Sequence, residues 1–276
     1  MRKSVVVMTA LTGWLFAVGQ AAAVPPQETV NDAVQVAEEA PEQEISDKEL
    51  KKQLLKKLFI RRQIMNNASL GRAIKSIASH YPRDVTTIVD MALELYPEKY
   101  KEIIYAAISA QPMATEDIVK IAIEKGVSEC PNIVELAIMA EPSYVDFVVT
   151  AAADTTPEEL QDIVRVAVIT EPDSADRIVQ TLSKEHPNDM VDILTTAISA
   201  VPFVGEYVVD SLLALFPDKA ETVVETAVRE SSQQREQIIK IIETAENRGV
   251  EMEQLRASAL RGGATEDEIA AATNND

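Results

Sequence analysis

One cysteine and one tryptophan are spread over 276 residues, and glycine numbers only eight. With Cys130 alone, no disulfide can form within one chain, so stability has to come from packing. The two histidines, His80 and His186, stand near segment ends with no His or Cys at ligand spacing, which argues against a metal centre. The six glycines beyond residue 23 form neither a phosphate-cradling loop nor a nucleophile elbow. No Asp-rich loop carries the glycine turn of a calcium hand. Carboxylate pairs such as Glu158 with Glu159, or Asp189 with Asp192, read as solvated helix faces, since nothing near them suggests burial. The chain therefore offers no catalytic constellation, and it is expected to be a non-enzyme without cofactor or metal. An enzyme with an unrecognised site stands as the outlying alternative.

Basic charge is also short. Lysine and arginine number 26 against 45 acids, for a net charge of −19. Nucleic-acid binding relies on cations that neutralise phosphates, so an overall balance this acidic argues against it. Long apolar runs are missing too, except for Val5 to Val18. That run follows Met1, Arg2 and Lys3 and ends near Ala21, Ala22 and Ala23. A short positive head, an apolar stretch and an Ala-x-Ala site predict a secretory signal peptide over 1–23. The run is short for a membrane anchor, and no cysteine marks a lipoprotein site. The expected location is periplasmic or extracellular. Trp14 lies inside this segment, so the chain after residue 23 contains no tryptophan.

What the sequence has is proline in a strict register. Pro82, Pro97, Pro112, Pro142, Pro157, Pro172, Pro187, Pro202 and Pro217 recur every fifteen residues, and Val127 fills the one missing beat. A fixed period marks a repeat architecture in which each unit stacks on its neighbours. The units superimpose without gaps, as in PEELQDIVRVAVITE from Pro157 and PNDMVDILTTAISAV from Pro187. Apolar residues fall at positions 4, 7, 8, 11 and 12 of each unit, one face of an α-helix. Position 7 is always Ile or Val from Ile88 through Ile163 to Ile238. Position 11 is mostly alanine, from Ala92 to Ala227. Alternation at period two is absent, so strands are not expected. Proline is expected at the first helical position, where no amide donor is needed. Two degenerate units, from Asn67 and Ser232, give about twelve in all.

A single short helix cannot bury such a face alone. Two successive units make a thirty-residue hairpin, and stacked hairpins make an all-α solenoid. The array resembles the HEAT-like and TPR-like helical-repeat architecture, here in an exported bacterial-type chain, without the signature motif of any one family. That resemblance covers roughly residues 67–246 and implies a scaffold or binding role.

The expected organisation has five parts. They are a signal peptide (1–23), an acidic leader (24–47), a basic amphipathic helix (48–66), the repeat array (67–246) and a C-terminal cap and tail (247–276). In the tail, Thr265 and Glu268 read as a capping box. The basic helix carries Lys48, Lys51, Lys52, Lys56, Lys57, Arg61 and Arg62, with Leu50, Leu54, Leu58 and Met65 on one flank and Leu55 and Phe59 beside them. Its first reading is a cap over the first repeat, with its basic side answering the acidic array. Its second is an anionic membrane surface, which would make the chain a peripheral membrane factor.

Position 6 samples the exposed ladder. In one set of alternate units it reads Glu102, Asn132, Asp162, Asp192 and Thr222. In the other it reads Thr87, Asp117, Phe147, Arg177 and Tyr207. Phe147, Arg177 and Tyr207 thus sit at equivalent points of consecutive hairpins, with Tyr144 and Phe203 near them. Aromatics and arginine dominate binding hot spots, so these five are the candidate partner-binding residues; the competing assignment is that the rings cover helix turns. The expected partner is a protein or other envelope or extracellular macromolecule.

Overall fold

In a computed structural model, which describes residues 47–66 and 69–273, every in-register proline opens a three-residue 3₁₀ turn. The α-helix follows three residues later, as in Pro97–Lys99 ahead of Tyr100–Ala110. This corrects the expectation that proline occupies the first position of the α-helix itself. The cause is local. The residue before proline is kept out of the helical region; Tyr96, for example, has φ −141° and ψ 58°. Its N–H still reaches back to the Ala92 carbonyl at 2.9 Å, closing one helix. Its carbonyl then accepts from Lys99 N–H at 2.9 Å, closing the tight turn that opens the next. One extended residue is therefore the whole linker, and both orphaned helix ends are partly satisfied by it.

Where proline is missing at Val127, the chain turns differently. Helix α5 (Thr115–Glu124) ends through Gly126 at φ 60°, a left-handed position that suits glycine. Helix α6 (Cys130–Ala140) then starts with Pro131 in its first turn, four residues later than the missing beat.

The helices sort into two layers. One contains α2 (Leu70–His80), α4 (Tyr100–Ala110), α6, α8 (Leu160–Thr170), α10 (Met190–Ala200), α12 (Ala220–Glu230) and α14 (Met252–Gly262), each packed on the next. The other contains α3 (Val85–Leu95), α5, α7 (Val145–Thr155), α9 (Ala175–Glu185), α11 (Gly205–Leu215), α13 (Arg235–Asn247) and α15 (Glu266–Thr273), packed in the same order. This is an all-α solenoid, and the two-layer pattern runs on past Glu246 through α14 and α15. Helix α1 (Asp47–Asn66) lies against α2 and α3 at the first end. The signal segment and the acidic leader as far as residue 46 lie outside the described residues, and Asp47, the last residue of the expected leader, opens α1.

The core follows the period. Position 7 is buried in each unit from Ile88 to Ile238, and position 8 is fully buried from Val89 to Val224, with Ile239 only partly covered. The alanines at position 11, Ala92 to Ala227, have no exposed surface. The result is one continuous apolar seam, the solution expected when no single helix can bury its face alone. Thr265 and Glu268 form the reciprocal capping box ahead of α15: Thr265 N–H donates to the Glu268 carboxylate at 2.7 Å, and Glu268 N–H to the Thr265 hydroxyl at 3.3 Å.

Candidate functional site

Three of the five sequence-predicted partner-binding residues sit on the outer face of the α3–α15 layer with much of their surface exposed. Phe147 is 48% exposed, Phe203 56% and Tyr207 58%. The period explains the placement: position 6 points away from the seam made by positions 7 and 8. Phe203 reaches the same face from the second position of its 3₁₀ turn.

Tyr144 and Arg177 are partly buried and act as connectors. The Tyr144 ring packs on Phe147 with centroids 5.5 Å apart, tilted by 34°. Its hydroxyl donates to the Met113 sulfur at 3.1 Å. Arg177 pairs with Asp146 at 2.6 Å and reaches the Ser143 carbonyl at 3.4 Å. Met113, Tyr144 and Phe147 are therefore linked, and Arg177 joins the same region through Ser143 and Asp146, so the cluster spans the starts of α5, α7 and α9. Sequence reasoning missed Met113 and Asp146. Met113 is 83% exposed, and it stands at the same unit position as Phe203, which was the available signal. Asp146 could have been found as the acid one hairpin before Arg177, 31 residues earlier.

The acidic face separates differently from its sequence ladder. Asp162 and Asp192 line one groove with Glu158, Glu159, Asp189 and His186, with a cavity volume of about 390 Å³. Glu102 does not belong to it. Glu102 is partly buried, and its carboxylate accepts from Gly71 N–H at 2.7 Å at the start of α2. Its position-6 register marked it as solvent-directed; the structure gives it a helix-capping role instead, because stacking of α4 on α2 within their layer brings the first turn of α2 within reach.

His80 Nδ1 donates to the Ser76 carbonyl at 2.7 Å, inside its own helix end. His186 closes α9, and its Nε2 is buried with no hydrogen-bond partner. Cys130 is buried and its sulfur accepts from the Thr156 hydroxyl at 3.2 Å. Burial pushes its thiol above the usual range, which holds it as the weakly nucleophilic protonated form. Among the described residues, no three His, Cys, Asp or Glu side chains converge as a metal site would need.

In α1, Lys51, Lys52, Arg61 and Arg62 are exposed, whereas Lys56 pairs with Asp84 at 2.6 Å and Lys57 with Glu94 at 3.2 Å. The side chain of Lys48 lies outside the described residues. Leu50, Leu54, Leu55 and Leu58 are each more than half exposed. Ion pairing thus joins α1 to α3 and the turn before it, while the described residues leave its leucines uncovered. No helix among the described residues is long and apolar enough to cross a membrane. Comparison with known protein families, with curated proteins and with solved structures gave no match.

Proposed function

We propose that this chain is an exported, non-enzymatic scaffold that binds another envelope or extracellular macromolecule, a protein in the first place. The observation that carries the reading is the partly exposed cluster of Met113, Tyr144, Phe147 and Arg177, continued by Phe203 in the turn before α11 and Tyr207 on α11. Apolar side chains of this size on an acidic surface leave an energetic gain for whatever covers them. Their chemistry, rings and a thioether beside an arginine, is that of hot-spot residues. Burial of the facing positions makes the support rigid, so little order has to be gained on binding.

The test is cross-linking capture from native envelope fractions with the chain from Val24 onward. A defined species captured by the native surface, and lost when Phe147 and Tyr207 are both alanine at unchanged helicity, supports the reading. Equal capture by both proteins overturns the assignment of this surface.

A further inference from the structure

We propose that α1 is a docking element for an anionic membrane surface. The inference concerns a different surface from the aromatic cluster and stands without it.

Two apolar stripes run along this helix. Leu50, Leu54 and Leu58 repeat every four residues, each more than half exposed. Leu55 and Phe59 form the second stripe, about 100° further round. With Ile77, Tyr81 and Ile88 they line a groove of about 460 Å³, rimmed by Lys51, Lys52 and Lys56. A peptide seated in that groove would cover the second stripe and leave the first in water. A bilayer interface covers both. It takes the leucines and Phe59 into the headgroup boundary while the lysine and arginine stems snorkel to the phosphates.

The charge distribution selects the sign of the surface and the orientation on it. Between residues 47 and 125, fourteen lysines and arginines face ten acids. From 126 to 276, ten face twenty-nine. Residues 24–46 add six acids and no base, so an anionic surface attracts 47–125 while it repels both the leader and the later repeats, and α1 is the element presented to it. Lys56 and Lys57 already answer Asp84 and Glu94. The attraction falls chiefly to Lys51, Arg61 and Arg62, all exposed.

The experiment uses the chain from Val24, which holds the entire compact unit Ser46–Asp276. It is mixed with vesicles of phosphatidylcholine alone, or of phosphatidylcholine with phosphatidylglycerol. The expected result is co-sedimentation with the anionic vesicles only, reversed by high salt. Leu54→Glu with Leu58→Glu should lower partitioning more than tenfold at unchanged melting temperature. Replacing Lys51, Arg61 and Arg62 by glutamine should lower it by about fivefold per charge removed. That second variant keeps the leucines, so it decides the matter if the first destabilises the helix.

Leu54→Trp gives a direct probe, because the sole tryptophan, Trp14, precedes Val24. Its emission should shift to the blue on anionic vesicles. No binding to those vesicles overturns the proposal, as does binding that neither variant weakens. A blue shift without lipid, accompanied by self-association, assigns the face to a second copy of the chain and also overturns it.

Discussion

The Glu102 carboxylate holds the backbone N–H of Gly71 at 2.7 Å, and a Cβ at residue 71 would lie 2.8 Å from Glu102 Cγ. The pair joins the first turn of α2 to α4, where the helix dipole favours a negative charge. Gly71→Ala forces the carboxylate aside, so it loses the bond as well as the fit. The expected cost is about 1–3 kcal/mol. Glu102→Gln keeps the shape and an acceptor but loses the charge, and should cost about 1 kcal/mol. Thermal or urea unfolding checks both. Unchanged stability in Gly71→Ala would show that the two helices part easily.

At the other end, α12 and α14 approach still more closely. A Cβ on Gly262 would stand 2.7 Å from the Glu225 carbonyl oxygen and 2.8 Å from Val228 Cβ. Backbone cannot step aside as a carboxylate tip can. Gly262→Ala should therefore cost at least as much as Gly71→Ala, about 3 kcal/mol, with amide exchange rising first in α14 and α15.

The fifteen-residue beat made the solenoid legible, because positions 7, 8 and 11 repeat the same burial demand in every unit. Alternation at position 6 revealed the hairpin. What stayed hidden depends on contacts between hairpins. Proline fits the first turn of a 3₁₀ or an α-helix equally well, so its register could not distinguish them. Glu102 follows the ladder of Asp162 and Asp192 in sequence, yet only it meets a neighbouring helix end. Gly262 beside Gly263 looks like a turn, although it is the last residue of α14 pressed on Val228. The leucines of α1 match a buried face in pattern, and only the structure reveals that none of the described residues covers them.

The same α12–α14 joint should be acid-sensitive. Hydrogen bonding from Arg261, then from Arg229, lowers the Glu225 carboxyl below its ordinary value. Arg261 Nε stands 2.9 Å from Glu225 and its Nη2 3.0 Å from Glu221. A depressed carboxyl pKa contributes stability that is fully present above the unfolded value and is lost as pH falls through the folded one. Exchange of α14 amides should therefore quicken as pH drops below the normal carboxylate range. Glu225→Gln should remove that pH dependence, and an unaltered profile would exclude this pair as its source.

Ile163 is a sharp test of the seam, being fully buried in α8 between the layers. Ile163→Asp places a carboxylate where no partner waits. The cost should be at least about 3 kcal/mol. Each helix touches chiefly its neighbours, so α6 and α10 should become protease-sensitive before the ends do. Undisturbed unfolding would remove position 7 from the core.

The exposed cluster makes a prediction in which two observables must separate. Arg177 is tied to Asp146 and to the Ser143 carbonyl, but the pair is still partly exposed. Arg177→Ala should thus cost under about 1 kcal/mol in stability. Phe147 and Tyr207 are about half exposed, and the phenolic oxygen of Tyr144 already satisfies itself on Met113. Truncating either ring should leave the melting temperature nearly unchanged. In partner capture the order reverses. Phe147→Ala and Tyr207→Ala should each weaken binding by about 2 kcal/mol or more, roughly thirtyfold. Rings that only cover helix turns would give the opposite pattern, a lower melting temperature with capture intact. That outcome would move the docking surface to the acidic groove of Asp162 and Asp192, where the partner would have to bring the positive charge.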